Sequence, residues 1–134
     1  MEKIKINIIK CLLRLNIKKR DTIFLSGNIG MFGFQVNKYL LDQFYDAILN
    51  VIGKEGTLVF PTHTFSLVKS KKTFNLKKTK CETGILSEFL RKKKNTVRQL
   101  HPFSSCAAIG KHAEYLCSNN TEHVYGAGSP WSRM

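Results

Sequence analysis

An α/β domain, with helices covering a mainly parallel sheet, is the fold class this sequence predicts, and three observations predict it. Segments with apolar residues at helical spacing alternate with short continuous apolar runs, in the order helix–strand–helix–strand–helix–strand–helix. Loops marked by glycine or proline follow the apolar runs, as "SGNIGMFG" and "PTHTFS" do. The 134 residues fit a single domain, residues 1–134, and a chain of this length can bury roughly two-thirds of its unfolded surface.

Taken in order, Ile4, Ile8, Ile9, Leu12 and Leu13 recur at helical spacing, so residues 3–17 read as an amphipathic helix. The alternation Ile4, Ile6, Ile8 leaves a strand open for the first few residues. "DTIFLSG" is a short apolar run bounded by Asp21 and Gly27 and reads as a buried strand. Val36, Leu40, Phe44, Ile48 and Ile52 mark one face of a strong helix that Gly53 stops. "GTLVFP" is a second buried strand, closed by Pro61. The lysine-rich segment after Val68 reads as loop. Ile85, Leu86, Phe89 and Leu90 share a helical face, with cations at the C-terminal end where the helix dipole favours them. "SSCAAIG" is a third strand made of small residues, and "KHAEYLCSNN" is a short helix capped by Asn119 or Asn120.

Composition narrows the function classes. Hydrophobic content of 43% and charged content of 23% are close to globular averages and argue against disorder. No apolar run approaches the roughly 18 residues of a membrane span, and lysines interrupt the N-terminal apolar stretch, so no signal peptide is read there. The cytoplasm is the expected compartment. Cys11, Cys81, Cys106 and Cys117 show neither C-x-x-C spacing nor zinc-ligand pairing with histidines, so neither a disulfide framework nor a metal site is expected. The net charge of +13 raises nucleic acid, a membrane surface or an anionic ligand as partners. Eleven of the 22 basic residues lie between Lys69 and Arg98, opposed there by Glu82 and Glu88. Only Phe74 sits among the lysines of the first run, where base stacking would call for interleaved aromatics. A solvated loop is therefore preferred to a nucleic-acid site.

Three loops offer chemistry. Glycines at 27, 30 and 33 do not form G-x-G-x-x-G, but the loop can present backbone amides to a phosphate at the start of the next helix. "PTHTFS" places His63 and two hydroxyls directly after a buried strand. In "LHPFSS", proline holds His101 in extended geometry ahead of Ser104, Ser105 and Cys106. His101 could activate Ser105 or Cys106 as a nucleophile, yet no acidic partner is evident, and a polar site wall is the better account.

The ordered set "TIFLSGNIGMFG", "VIGKEGTLVFPTHT", "TGILSEFLRKK", "VRQLHPFSSCAAIGKHAEYL" and "GAGSPWSRM" resembles the aminoglycoside 3-N-acetyltransferase family. The resemblance runs from about Asp21 to Met134 in family order. It implies the antibiotic N-acetyltransferase fold and transfer of an acetyl group from acetyl-CoA, as co-substrate, to an amine of an aminoglycoside or another amino sugar. Carried over by position, it implies cofactor contacts from Ser26, Gly27, Asn28, Ile29 and Gly30. Thr62 and Thr64 would lie near the pantetheine arm, Ser105 near the thioester, and Ser129 at the border of the same cleft. It assigns no metal, and among the residues present only His101 is a candidate catalytic group.

The sequence departs from the family at three places. Relatives often read His-Ser-(Ser/Asp)-Leu where Ser26, Gly27, Asn28 and Ile29 stand. Lys80 and Cys81 replace a usual Pro-Ser pair. In relatives a further strand and a "T-x-x-H-x-x-E"-like segment follow the Ser-Pro loop and supply the base, and here the sequence stops at Met134. The expectation is a truncated N-terminal portion of a longer enzyme, inactive in isolation. A small basic nucleic-acid-binding protein and a non-catalytic subunit completed by a separately encoded second half are the alternatives.

Overall fold

The computed structural model describes residues 2–118 and 121–134. Helix α1 (Glu2–Arg14) is followed by β1 (Thr22–Phe24), then α2 (Lys38–Ile52), β2 (Thr57–Pro61), α3 (Ile85–Arg91), β3 (Val97–Arg98), β4 (Cys106–Gly110), α4 (Ala113–Cys117) and α5 (Pro130–Arg133). Two 3-10 turns, Ile29–Phe32 and Phe65–Lys69, follow the first two strands.

The chain termini of the helices are fixed by local chemistry. Helix α1 ends where Asn16 takes a left-handed φ of 59°. The Ile17 amide then bonds back to the Leu12 carbonyl and the Asn16 amide to that of Leu13, satisfying carbonyls that the last turn leaves over. Helix α2 opens on Asn37, whose side chain accepts the Leu40 amide at 2.9 Å, and closes on Gly53 at φ 69°, as the sequence pattern anticipates. The asparagine cap expected at Asn119 or Asn120 lies outside the described residues.

The sheet order is β1-β2-β4-β3. β1 runs parallel to β2, while β4 is antiparallel to both β2 and β3. The sheet is thus mixed, which corrects the mainly parallel arrangement expected above. The cause is β3, a two-residue strand too short to leave a sequence signal. Only residues 99–105 join β3 to β4, too few for a crossover, so the two must pair antiparallel. Helix α3 carries the chain from β2 to β3, which point the same way and leave a slot that β4 fills, a split βαβ unit.

β2 is buried at every residue, as the central strand of a covered sheet must be. On one face Leu58, Phe60, Ala107 and Ile109 pack under Leu40, Ile48 and Ile52 of α2 and Leu86 and Leu90 of α3. On the other, Val59, Cys106 and Ala108 meet Ala113, Leu116 and Cys117 of α4. The small residues of β4 let a helix approach both faces closely. Helix α1 lies outermost, with Ile4 and Leu12 half-buried against the first core. β1 forms an edge, and Phe24 on it remains 41% exposed.

Candidate functional site

The chain leaves β1 through Leu25, whose amide still bonds to the Val59 carbonyl at 2.8 Å. Gly27 then turns at φ 147°, a backbone state that side chains avoid, and Ile29 plugs into the core at 3% exposure. Asn28 caps the turn by accepting the Gly30 amide at 2.9 Å, and its carbonyl takes the Met31 amide. The result is a fixed, exposed rim of Ser26, Gly27 and Asn28 between two cavities. An apolar cavity of about 290 Å³ lies on one side, walled by Phe44, Phe60 and Leu86. A wider cleft of about 620 Å³ lies on the other, where His63, Glu82, Tyr125 and Trp131 join the rim.

Thr62, Thr64 and Ser105 come together, but around a residue that sequence reasoning passed over. The Arg98 side chain runs inward and is 8% exposed. Its Nε donates to Thr62 Oγ1 and Ser105 Oγ at 3.2 Å each. One terminal nitrogen donates to the Thr62 carbonyl at 2.7 Å and to Thr64 Oγ1 at 3.3 Å. The other reaches the carbonyls of Thr79 at 2.6 Å and Leu76 at 3.3 Å. Phe74 lies 4.7 Å from the guanidinium, within cation–π range. No carboxylate pairs with Arg98 among the described residues. Burial, and secondarily the nearby Arg91 charge, bring its pKa down to about 10, so the group is charged at neutral pH. Every guanidinium donor is occupied, and the arginine pins the lysine loop to the ends of β2 and β4. The only sequence signal was a basic residue beside a valine, indistinguishable from the other ten cations of that region.

The two histidines separate. His101 Nδ1 accepts the amides of Ser104 at 2.9 Å and Phe103 at 3.3 Å, which makes it the brace of the turn between β3 and β4. It opens on a different depression, beside Pro102 and Glu122. His63 is the imidazole on the wide cleft, with Nδ1 3.2 Å from Ser104 Oγ. Burial lowers its pKa, the Ser105 backbone opposes that shift, and His101 adds to it, so His63 is neutral at physiological pH.

Ser129 is fully buried and caps α5, its side chain accepting the Ser132 amide at 3.3 Å. Neither of the two cavities includes it in its walls. The last segment therefore enters the cleft through Trp131, which lies 4.9 Å from Phe24 and 5.7 Å from Tyr125 between ring centroids. No helix of the described residues is long and apolar enough to cross a membrane. All four cysteines are free, and the Cys106 and Cys117 sulfurs sit 3.9 Å apart in the core under α4.

Comparison with solved structures finds the same fold in much longer proteins. The YokD protein from Bacillus subtilis is 24% identical with a TM-score of 0.84, over 94% of this chain and 58% of its own. The aminoglycoside acetyltransferase AAC(3)-Xa is 24% identical with a TM-score of 0.84, over 96% of this chain and 51% of its own. AAC-IIIb, solved as a binary complex with CoASH, is 20% identical with a TM-score of 0.82, over 96% and 54%. The chain spans about half the length of these proteins. Comparison with curated proteins returns no match. The family model described as aminoglycoside 3-N-acetyltransferase matches residues 31–134, which take in Arg98 and its cage and Trp131, and the chain belongs to that family.

Proposed function

We propose that this chain forms the acetyl-CoA side of an N-acetyltransferase acting on an amine of an aminoglycoside or amino sugar. The observation that carries this is the fixed rim of Ser26, Gly27 and Asn28, which stands between two cavities in a chain whose family transfers acetyl groups to such amines. AAC-IIIb, of the same fold, is a complex with CoASH. Ser26, Gly27 and Asn28 hold the cofactor directly, while Ile29 anchors the turn in the core and Gly30 supplies the amide that Asn28 caps. Thr62, Thr64 and Ser105 serve it through Arg98, and Ser129 through α5.

Acetyl transfer needs an unprotonated amine whose lone pair attacks the thioester carbonyl. Donors must hold the oxyanion of the tetrahedral intermediate, and a base must take the ammonium proton before the thiolate leaves. Here His101 is outside both cavities. His63 is a weak base, because burial lowers its pKa. The isolated chain is therefore expected to bind CoA and to turn it over at least about 100-fold more slowly than a full-length relative, the lower bound of what a positioned base supplies. An amino-sugar acceptor is the second partner of this reading. A second polypeptide adding to the open edge of β1, beside exposed Phe24 and Tyr125, would complete the cleft.

Calorimetric titration with CoA tests the assignment. Ser26 is exposed, so Ser26→Trp fills the mouth of both cavities without loading the core, and it should abolish CoA binding while leaving the melting temperature unchanged. Ser105→Ala should show the reverse, a lower melting temperature with CoA affinity kept once folded. A folded wild type that takes no CoA, or an unaffected Ser26→Trp, would remove the cofactor from this rim. Release of free thiol at a rate within a few-fold of a full-length relative would place the missing base inside this chain.

A further inference from the structure

Strands β1 and β2 run parallel, so both finish toward the rim and both begin at the far end of the sheet. Three loops meet at that far end. The Arg20 amide bonds to the Ile52 carbonyl at 2.8 Å, the Thr57 amide to the Asp21 carbonyl at 3.0 Å, and the Lys111 amide to the Gly56 carbonyl at 3.2 Å. The turn before β1, the turn before β2 and the exit of β4 are thereby tied together. They carry Lys18, Lys19, Arg20, Lys54 and Lys111, every one exposed. The acidic residues of these loops are Asp21, which accepts the Lys18 amide, and Glu55, which is bound to Lys111. Lys18, Lys19, Arg20 and Lys54 make no ion pair among the described residues. The turn that presents the first three is fixed. Asn16 and Arg20 take left-handed φ angles of 59° and 76°, a state that a long side chain does not favour by itself, and the Ile17 and Arg20 amides hold the turn to Leu12 and Ile52.

Apolar side chains stand among these cations. Leu15 is 72% exposed and Leu13 54%, on either side of exposed Arg14. Ile6 and Lys10, both exposed, lie on Leu13's side of α1, because steps of seven and three residues return a helix to nearly the same direction. The opposite side of α1, with Ile4 and Leu12, packs on the core. The outer surface is therefore a mixture of aliphatic side chains and cations. Residues 3–20 contain no aromatic side chain, so they offer no face for base stacking, and aliphatic side chains gain nothing against a phosphate backbone. A bilayer surface takes both kinds of side chain, cations among the headgroups and aliphatic groups at the boundary beneath them.

We infer that this end of the molecule docks on an anionic membrane surface. Lys18, Lys19, Arg20 and Lys54 meet the headgroups, and Leu13 and Leu15 enter the boundary below. No helix of the described residues is long and apolar enough to cross a membrane, so the contact is peripheral. The rim then faces away from the bilayer and stays open to solvent. The inference goes beyond the N-acetyltransferase reading and does not depend on it, since none of these residues lines either cavity beside the rim.

Co-sedimentation of the full chain with vesicles tests it, using phosphatidylcholine alone and phosphatidylcholine with phosphatidylserine at roughly one lipid in three. The wild type should bind the anionic vesicles and not the neutral ones. Lys18→Gln with Lys19→Gln should weaken the partition about thirtyfold, each cation near such a surface contributing about fivefold. Leu13→Gln with Leu15→Gln should weaken it about tenfold at unchanged charge. Lys71→Gln with Lys72→Gln removes the same charge from the lysine loop and should stay within about threefold of wild type, because screening confines the effect to charges near the surface. All six positions are exposed, so melting temperatures should match wild type. Equal losses in the two lysine pairs would overturn the inference, because net charge and not this face would then attract the vesicles. A leucine pair that binds like wild type would also overturn it, leaving a polyanion patch without lipid contact. So would a wild type that ignores anionic vesicles, or one that duplex DNA strips from them at equal phosphate concentration, which would give the face to nucleic acid.

Discussion

Arg98 and Glu88 show two ways of keeping a charge inside this small domain. Arg98 is held by carbonyls and hydroxyls, with the Phe74 ring beside it and no carboxylate among the described residues, and its removal would leave those acceptors buried and unmatched. Arg98→Met should therefore cost about 3 kcal/mol, within the range for stripping one side of a buried polar arrangement. In a domain of this size that lowers the melting temperature by roughly 10 °C, and a loss of less than about 1 kcal/mol in chemical denaturation would show the cage to be incidental. Glu88 is neutralised in the ordinary way. Burial disfavours its charge, but Arg91, the Cys81 amide and Lys92 together outweigh that and bring its pKa down to about 2, with Arg91 bound through Nε and one terminal nitrogen at 2.7 Å each. A carboxylate with a depressed folded-state pKa stabilises above its unfolded value and loses that contribution as the pH falls toward 2. After solvent screening the contribution is about 1–2 kcal/mol. Stability measured from pH 5 to pH 2 should fall less steeply in Glu88→Gln than in wild type, and parallel curves would contradict the assignment.

At the level of elements, two local devices are open to direct test. Asn37→Ala removes the α2 cap and should cost about 1 kcal/mol in urea denaturation. Gly110 ends β4 at φ 124°, and a Cβ there would come within 2.2 Å of the Gly56 carbonyl oxygen. Gly110→Ala should thus cost about 3 kcal/mol or more, since both the strain and the clash fall on backbone; a variant as stable as wild type would mean that β2 and β4 can slide. These elements also mark what the sequence made legible. Helices α2 and α3 and strands β2 and β4 follow from periodicity and apolar runs, because each buries a whole face. Strand β3 does not, since Val97 and Arg98 are too few to show alternation, and missing it led to the parallel sheet. Ser129 and Pro130 read as a loop, whereas the same pair is a helix start, a serine cap followed by proline in the first turn. The rim at residues 26–30 was visible through its glycines. Arg98 was not, because an inward-turned cation is a property of tertiary contact and leaves no pattern along the chain.

For the molecule as a whole, the net charge of +13 overstates what is presented to a partner. Within the basic region Arg98 is caged, Arg91 is bound to Glu88, and Lys93 is held by Asp42 at 2.9 Å and lies over Tyr45 and Phe89. Binding to duplex DNA should accordingly be weak and gone by about 200 mM salt in a fluorescence titration, and sequence-selective binding above that salt would contradict a solvated loop. The split arrangement of the sheet has a different consequence, in time rather than in space. β2 and β3 are set about 10 Å apart, two strand spacings, with nothing between them until β4 arrives. β4 pairs with a strand that precedes it by about fifty residues, a long loop to close. As the chain is synthesised, β2, buried at every residue in the finished fold, has only β1 for a neighbouring strand, and its other side waits for the last third of the polypeptide. That interval exposes "TLVF" to other chains and makes β4 the strand whose arrival closes the sheet. Nascent chains ending before Cys106 should be protease-sensitive and aggregate, while those extending past Gly110 should become resistant in a single step.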